Sequence, residues 1–149
     1  MVDVVHEQGG RIVLQLCHSG RISHSFLLGG ELPVAPSMIA AVGSLHTPTI
    51  NVSLGTTHAL EIEEILEIVE QFRQGAKNVL VAGFDGLELH GAFGYLIDPL
   101  LQDGSKQRTD EYGGSIENCS RFLLDVVATL ANVWGGDHIG IRLSFSNTF

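Results

Sequence analysis

The chain alternates between two hydrophobic periods. Ile62, Ile65, Leu66, Val69, Phe72, Ala76 and Val79 recur at helical spacing, which predicts a helix over 62–81 with one apolar stripe facing a core. Glu61, Glu63 and Glu64 fall in or beside its first turn, where the helix dipole favours negative charge. A second helix is predicted from a Ser115 cap to about Trp134, with Ile116, Phe122, Leu123, Val126, Val127, Leu130 and Trp134 on its buried side. Elsewhere the period is two. Ile12, Leu14 and Leu16 alternate with Val13, Gln15 and Cys17; Leu87 and Leu89 oppose Glu88 and His90; Ile139, Ile141 and Leu143 share one face. These patterns predict strands over 11–17, 86–90 and 138–144. Residues 1–8 read as the tail of a helix closed by Gly9-Gly10, and Gly83 and Gly135-Gly136 stop the two long helices.

Two segments lack a period. Residues 19–60 are rich in Gly, Pro, Ser and Thr; short irregular strands or turns are expected there, because a structureless loop of that length is uncommon unless functional. A long polar loop is expected between the strand over 86–90 and the second long helix. Strands that alternate with amphipathic helices imply an α/β fold with a parallel sheet. Three strands alone leave two unprotected sheet edges. The expectation is therefore a piece of a larger α/β barrel, truncated at both ends. Its open edges could self-associate or accept a complementary fragment.

Composition narrows the partners. The chain has 149 residues, 44% hydrophobic and 17% charged, with a formal charge of −9. That is ordinary for a soluble domain, and the negative charge argues against nucleic acid or an anionic membrane as the main partner. The acidic cluster from Glu61 to Glu70 reads as a solvated helix face. No apolar run is long enough to span a bilayer, and the first ten residues do not form a signal peptide. Cys17 and Cys119 cannot make a disulfide scaffold; a reducing compartment, by default the cytoplasm, is expected.

Candidate chemistry lies on the strand faces opposite the aliphatic residues. Gln15, Glu88 with His90, and Arg142 sit there, near carboxyl ends of strands, where α/β folds build active sites. A buried polar group costs free energy unless it is hydrogen-bonded. For Glu88 the favoured reading is a buried bridge to Arg142. Gln15, His90 and Arg142 together offer an amide, an imidazole and a cation, a set suited to a flat heterocyclic ligand. Neighbouring strand residues point to opposite faces, so Cys17 and His18 cannot form a dyad. The histidines lack metal-ligand spacing, and no metal site is expected. The glycines of GAFG at 91–94 read as turn residues rather than a dinucleotide fingerprint. Arg108, Asp110 and Glu117 are expected to hold the RTDEYGGS loop in shape.

The segments LQLCHSGRISHS, PVAPS, AGFDGLELHGAFGYLIDPLLQDGSKQRTDEYGGSIEN and IGIRLS resemble the old yellow enzyme family of flavin-dependent ene-reductases. They cover most of the chain in the family's order, and the long central one is highly specific. The resemblance implies a partial (β/α)8 TIM barrel, about strands three to five with two intervening helices, in which 1–149 is part of an FMN-dependent oxidoreductase domain. It implies FMN as cofactor, NAD(P)H as reductant, and an activated alkene (an α,β-unsaturated carbonyl or nitro compound) as small-molecule substrate. By position, Gln15 matches the glutamine on the flavin's pyrimidine edge, and Arg142 the arginine beside flavin N1 and O2. His90 matches the first member of a pair that hydrogen-bonds the substrate's oxygen, and Tyr95 the usual proton donor.

Three positions depart from the family pattern. Phe93 stands where the second oxygen-binding residue is normally Asn or His, and phenylalanine donates no hydrogen bond. Cys17 replaces a tryptophan before the histidine of HSGR, and Phe145 replaces a proline after IRLS. The family's amino-terminal flavin-contacting segment and its carboxyl-terminal phosphate-binding loops have no counterpart in these residues. The alternative expectation is therefore a catalytically inactive remnant that does not hold FMN.

Overall fold

The computed structural model describes residues 1–46 and 51–144. Helix α1 (Val2–Glu7) leads into strand β1 (Val13–Leu16). Four short strands follow: β2 (Val34–Ala35), β3 (Ser44–His46), β4 (Asn51–Ser53) and β5 (His58–Ala59). Then come α2 (Ile62–Val81), β6 (Gly86–Gly91), α3 (Ile97–Leu101), α4 (Ile116–Trp134) and β7 (Ile139–Leu143). Strands β1, β6 and β7 form one parallel sheet with β6 in the middle. Strands β2 and β5 pair in parallel, and β3 and β4 form an antiparallel ribbon. The aperiodic segment thus holds short strands, as expected.

Helices α2 and α4 pack on each other and on one face of the sheet. Leu87 and Leu89 of β6 are fully buried beneath them, with Ile65, Ala76, Phe122, Val126 and Leu130. Gly75 of α2 faces the Leu16 side chain of β1, which a Cβ there would meet in ordinary contact at 3.4 Å. The start of α2 is fixed by Glu64, whose carboxylate accepts from the Glu61 N–H at 2.7 Å. Ser115 caps α4 by accepting from the Asn118 N–H at 3.2 Å. Trp134 closes the far end by donating from Nε1 to the Ala76 carbonyl at 2.9 Å.

Several expectations are corrected. In α2 the buried stripe runs through Ile65, Ile68, Phe72, Ala76 and Val79, and Leu66 lies outside it, exposed. Ile116 is exposed, and Thr129 joins the buried side. Ile141 and Leu143 of β7 are also exposed, at 42% and 48%. They share the face of Leu89, but β7 is an outer strand that α4 covers only in part. The predicted strands over 11–17 and 138–144 shorten to Val13–Leu16 and Ile139–Leu143. The loop after β6 contains α3, a short helix around Pro99. Phe145 lies outside the described residues.

Candidate active site

The exposed face of the sheet carries a polar row across all three strands. Register places Gln15 beside Glu88 and His90 beside Arg142. Glu88 is the hub. Its carboxylate accepts from the Gln15 side-chain amide and from Arg142, whose Nε lies 2.9 Å from Oε1. The Arg142 guanidinium first, and the Gln15 amide second, hold the Glu88 carboxyl below its ordinary range. The expected bridge between Glu88 and Arg142 is present, but it is not buried: the Arg142 side chain is 53% exposed. An ion pair this open contributes little to stability. Its chief effect is to orient an amide and a guanidinium side by side on the sheet.

His90 belongs to this face but not to that network. It is 8% exposed, and neither ring nitrogen has a hydrogen-bond partner. A buried imidazole without partners costs free energy, so its place needs another explanation than stability. The strand ends at Gly91, and the chain then turns sharply. Phe93 adopts φ 55°, a left-handed conformation uncommon for a bulky side chain. Its N–H donates to Ser144 Oγ at 3.1 Å, which ties the turn to the end of β7. The turn brings Tyr95 against His90, edge to face with ring centroids 5.0 Å apart, and Phe93 to 6.0 Å.

Asp98, not foreseen as part of the site, holds the turn from behind. It is buried and accepts from the Gly94 N–H at 2.7 Å and from Gln102 Nε2 at 2.8 Å. Its signal in the sequence is a carboxylate inside the apolar run YLIDPLL, since buried charge is rarely without partners. The HSGR turn packs against the same place. Leu96 donates its N–H to the His18 carbonyl at 3.1 Å, and a Cβ on Gly20 would lie 2.9 Å from the Leu96 backbone. His18 accepts the Gly20 N–H on Nδ1 at 3.1 Å, and burial pushes its imidazole pKa down. His18 is thus occupied within its own turn rather than paired with Cys17.

A cavity of about 290 Å³ opens beside the turn, lined by Ile22, Val42, Leu54, Phe93 and Tyr95 among others. Three of these lie in the aperiodic segment, where spacing carries no signal. The RTDEYGGS loop is braced as expected by Arg108, which reaches Asp110 and donates to the carbonyls of Pro36, at 2.9 Å, and Leu60. Glu117 acts at the loop's last residue, through a hydrogen bond with the Ser115 side chain. Asn118 and Arg121 add to the bracing by donating to the carbonyls of Gly113 at 3.0 Å and Glu111 at 2.7 Å. No helix among the described residues is long and apolar enough to cross a membrane.

Comparison with known proteins gives this geometry a context. A family model described as the NADH:flavin oxidoreductase / NADH oxidase family matches residues 1–149. The chain is 40% identical over its full length to flavin oxidoreductase hxnT of Emericella nidulans, of which it covers 38%. It is 44% identical to 12-oxophytodienoate reductase 7 of Oryza sativa subsp. japonica over 97% of the chain, again 38% of the relative. Among solved structures it resembles morphinone reductase in complex with tetrahydroNAD, with TM-score 0.90 and 45% identity over 95% of this chain and 41% of that one. The old yellow enzyme homologue from Zymomonas mobilis gives TM-score 0.91 and 39% identity, over 95% and 40%. The chain thus spans about two-fifths of the length of the relatives it matches.

Proposed function

Because the chain belongs to the NADH:flavin oxidoreductase / NADH oxidase family, we propose that it carries part of the active site of an FMN-dependent ene-reductase that uses NAD(P)H. In this reading residues 1–149 are part of a (β/α)8 barrel, and β1, β6 and β7 are about its third to fifth strands. The observation that carries it is the partnerless, buried imidazole of His90, with Tyr95 5.0 Å away at the carboxyl end of β6. A group left unsatisfied in the free protein is matched when a ligand supplies the missing acceptor.

The donor set fits FMN. Gln15 would hold the pyrimidine edge of the flavin through its amide, and Arg142 would place fixed positive charge beside it. Glu88 orients both donors. When bound, FMN supplies the hydride-transfer chemistry, with NAD(P)H as reductant. His90 would donate to the carbonyl or nitro oxygen of an activated alkene and so draw electron density from the double bond. The phenol of Tyr95 would deliver the proton to the α-carbon. Phe93 stands in the substrate site without a hydrogen bond to give, so His90 is its single oxygen donor. The free thiols of Cys17 and Cys119 agree with a reducing, cytoplasmic setting.

A second reading is a polypeptide without catalysis that does not hold FMN. Two observations favour it: Glu88 already engages both flavin donors, and Ile141 and Leu143 stay exposed. The absorbance spectrum of the purified chain, followed by an alkene-dependent NAD(P)H oxidation assay with FMN added, separates the two. A visible absorbance band of bound flavin, with turnover that Tyr95→Phe reduces, supports the enzyme. No band and no turnover support the inactive polypeptide.

A further inference from the structure

Phe93 and Tyr95 both line the apolar cavity beside the turn, whereas His90 does not. Both rings stand against the imidazole, at 6.0 and 5.0 Å, and both imidazole nitrogens are sealed from solvent. The two aromatic rings therefore border both the cavity and the only buried imidazole of the sheet face among the described residues. The two rings differ in how they are held. Tyr95 sits at the turn's base, with its N–H bonded to the Ala92 carbonyl at 3.2 Å and its carbonyl to the Asp98 N–H at 2.9 Å. Phe93 is half exposed, at φ 55°, and its backbone is pinned while little packs on its ring.

We propose that the Phe93 ring is a gate on His90 and thereby a specificity-determining element of this chain. The ring covers the imidazole in the free protein and turns aside when a ligand enters from the cavity. The ligand class rests on the ene-reductase reading; the gate does not. Such a ligand carries an oxygen acceptor for His90 on an apolar body that lies along Ile22, Val42 and Leu54. An asparagine or histidine in place of Phe93 would offer a second donor; the phenyl ring offers only a surface. The site then selects for the apolar body of its ligand at the expense of a second polar contact.

The test is site-resolved modification of histidines by diethyl pyrocarbonate, read by peptide mass spectrometry on the 149-residue chain. A sealed imidazole reacts only through local opening. His90 is expected to react about tenfold more slowly than the exposed His46 and His138. Phe93→Ala should raise the His90 rate about tenfold and leave those two unchanged. Phe93→Asn, which tolerates the left-handed backbone, should do the same and guards against a misfolded alanine variant. Cyclohex-2-enone should then slow His90 modification saturably in Phe93→Ala, and acetamide should not. The gate is overturned if His90 reacts as fast as His46 in the parent chain, if neither variant changes its rate, or if His18 and His58 accelerate by the same factor. Equal protection by acetamide, or none by the enone, overturns the ligand class. Neither readout uses flavin, so a failed gate and a failed ene-reductase reading give different results.

Discussion

The two faces of the three-stranded sheet solve opposite problems. Under α2 and α4, Leu87 and Leu89 lose all contact with water within a cluster of apolar side chains. On the other face Gln15 and Arg142 both bond to Glu88 in the open, and the two ring nitrogens of the buried His90 have no hydrogen-bond partner. The first face yields the burial free energy that holds the fold together. The second contributes little to it, and its polar groups are the ones proposed above to meet a ligand. Stability and chemistry are thus separated by the thickness of one strand, through the simple alternation of side chains along β6.

That separation can be broken by substitution. The largest effect is expected at Phe122, which is fully buried in the helix layer: Phe122→Ala should cost about 3–5 kcal/mol of stability in urea unfolding, enough to threaten folding altogether. Arg108→Ala comes next. It leaves the carbonyls of Pro36 and Leu60 without a donor, and a loss of about 2 kcal/mol by the same measurement is expected. Phe93→Asn should go the other way. Asparagine tolerates the left-handed φ of 55°, and a gain of about 1 kcal/mol is expected as backbone strain is relieved. An equal loss would show that the Phe93 ring is a packing residue.

The smallest effect is a matter of pH. Arg142 first and Gln15 second hold the Glu88 pKa below its ordinary value in the folded chain. Its contribution is therefore fully present above the ordinary carboxylate range and is lost as pH falls through the folded value, below about pH 4.5. Asp110, held down first by Arg108, behaves in the same sense. Arg142→Leu should flatten the acid side of a Tm-against-pH curve slightly, and Arg108→Ala should flatten it more. The reverse order would place the more consequential ion pair on the open face.

The β–α–β frame was legible in the sequence because both long helices and all three sheet strands carry clear periods. What spacing could not convey was which apolar residues a neighbour would cover. Leu66, Ile116 and Ile141 fit their periods yet stay exposed, because burial needs a partner element and not only a face. The short helix α3 was hidden by its length and by Pro99. At the site, the polar row could be read from alternation, since Gln15, Glu88 and Arg142 break an aliphatic pattern. The grip of Asp98 on Gly94 and the cavity wall of Ile22, Val42 and Leu54 could not. They depend on contacts between segments far apart in the chain or without a period.

The proposed flavin-binding role of the open face is checked by a titration of the purified chain with FMN, followed by flavin fluorescence and repeated with Arg142→Ala. The expected result is a weak but saturable response in the parent chain that falls at least about tenfold in the variant, as loss of a charge-assisted contact implies, while urea stability stays unchanged. No saturable response, or equal binding by the two proteins, would contradict that role.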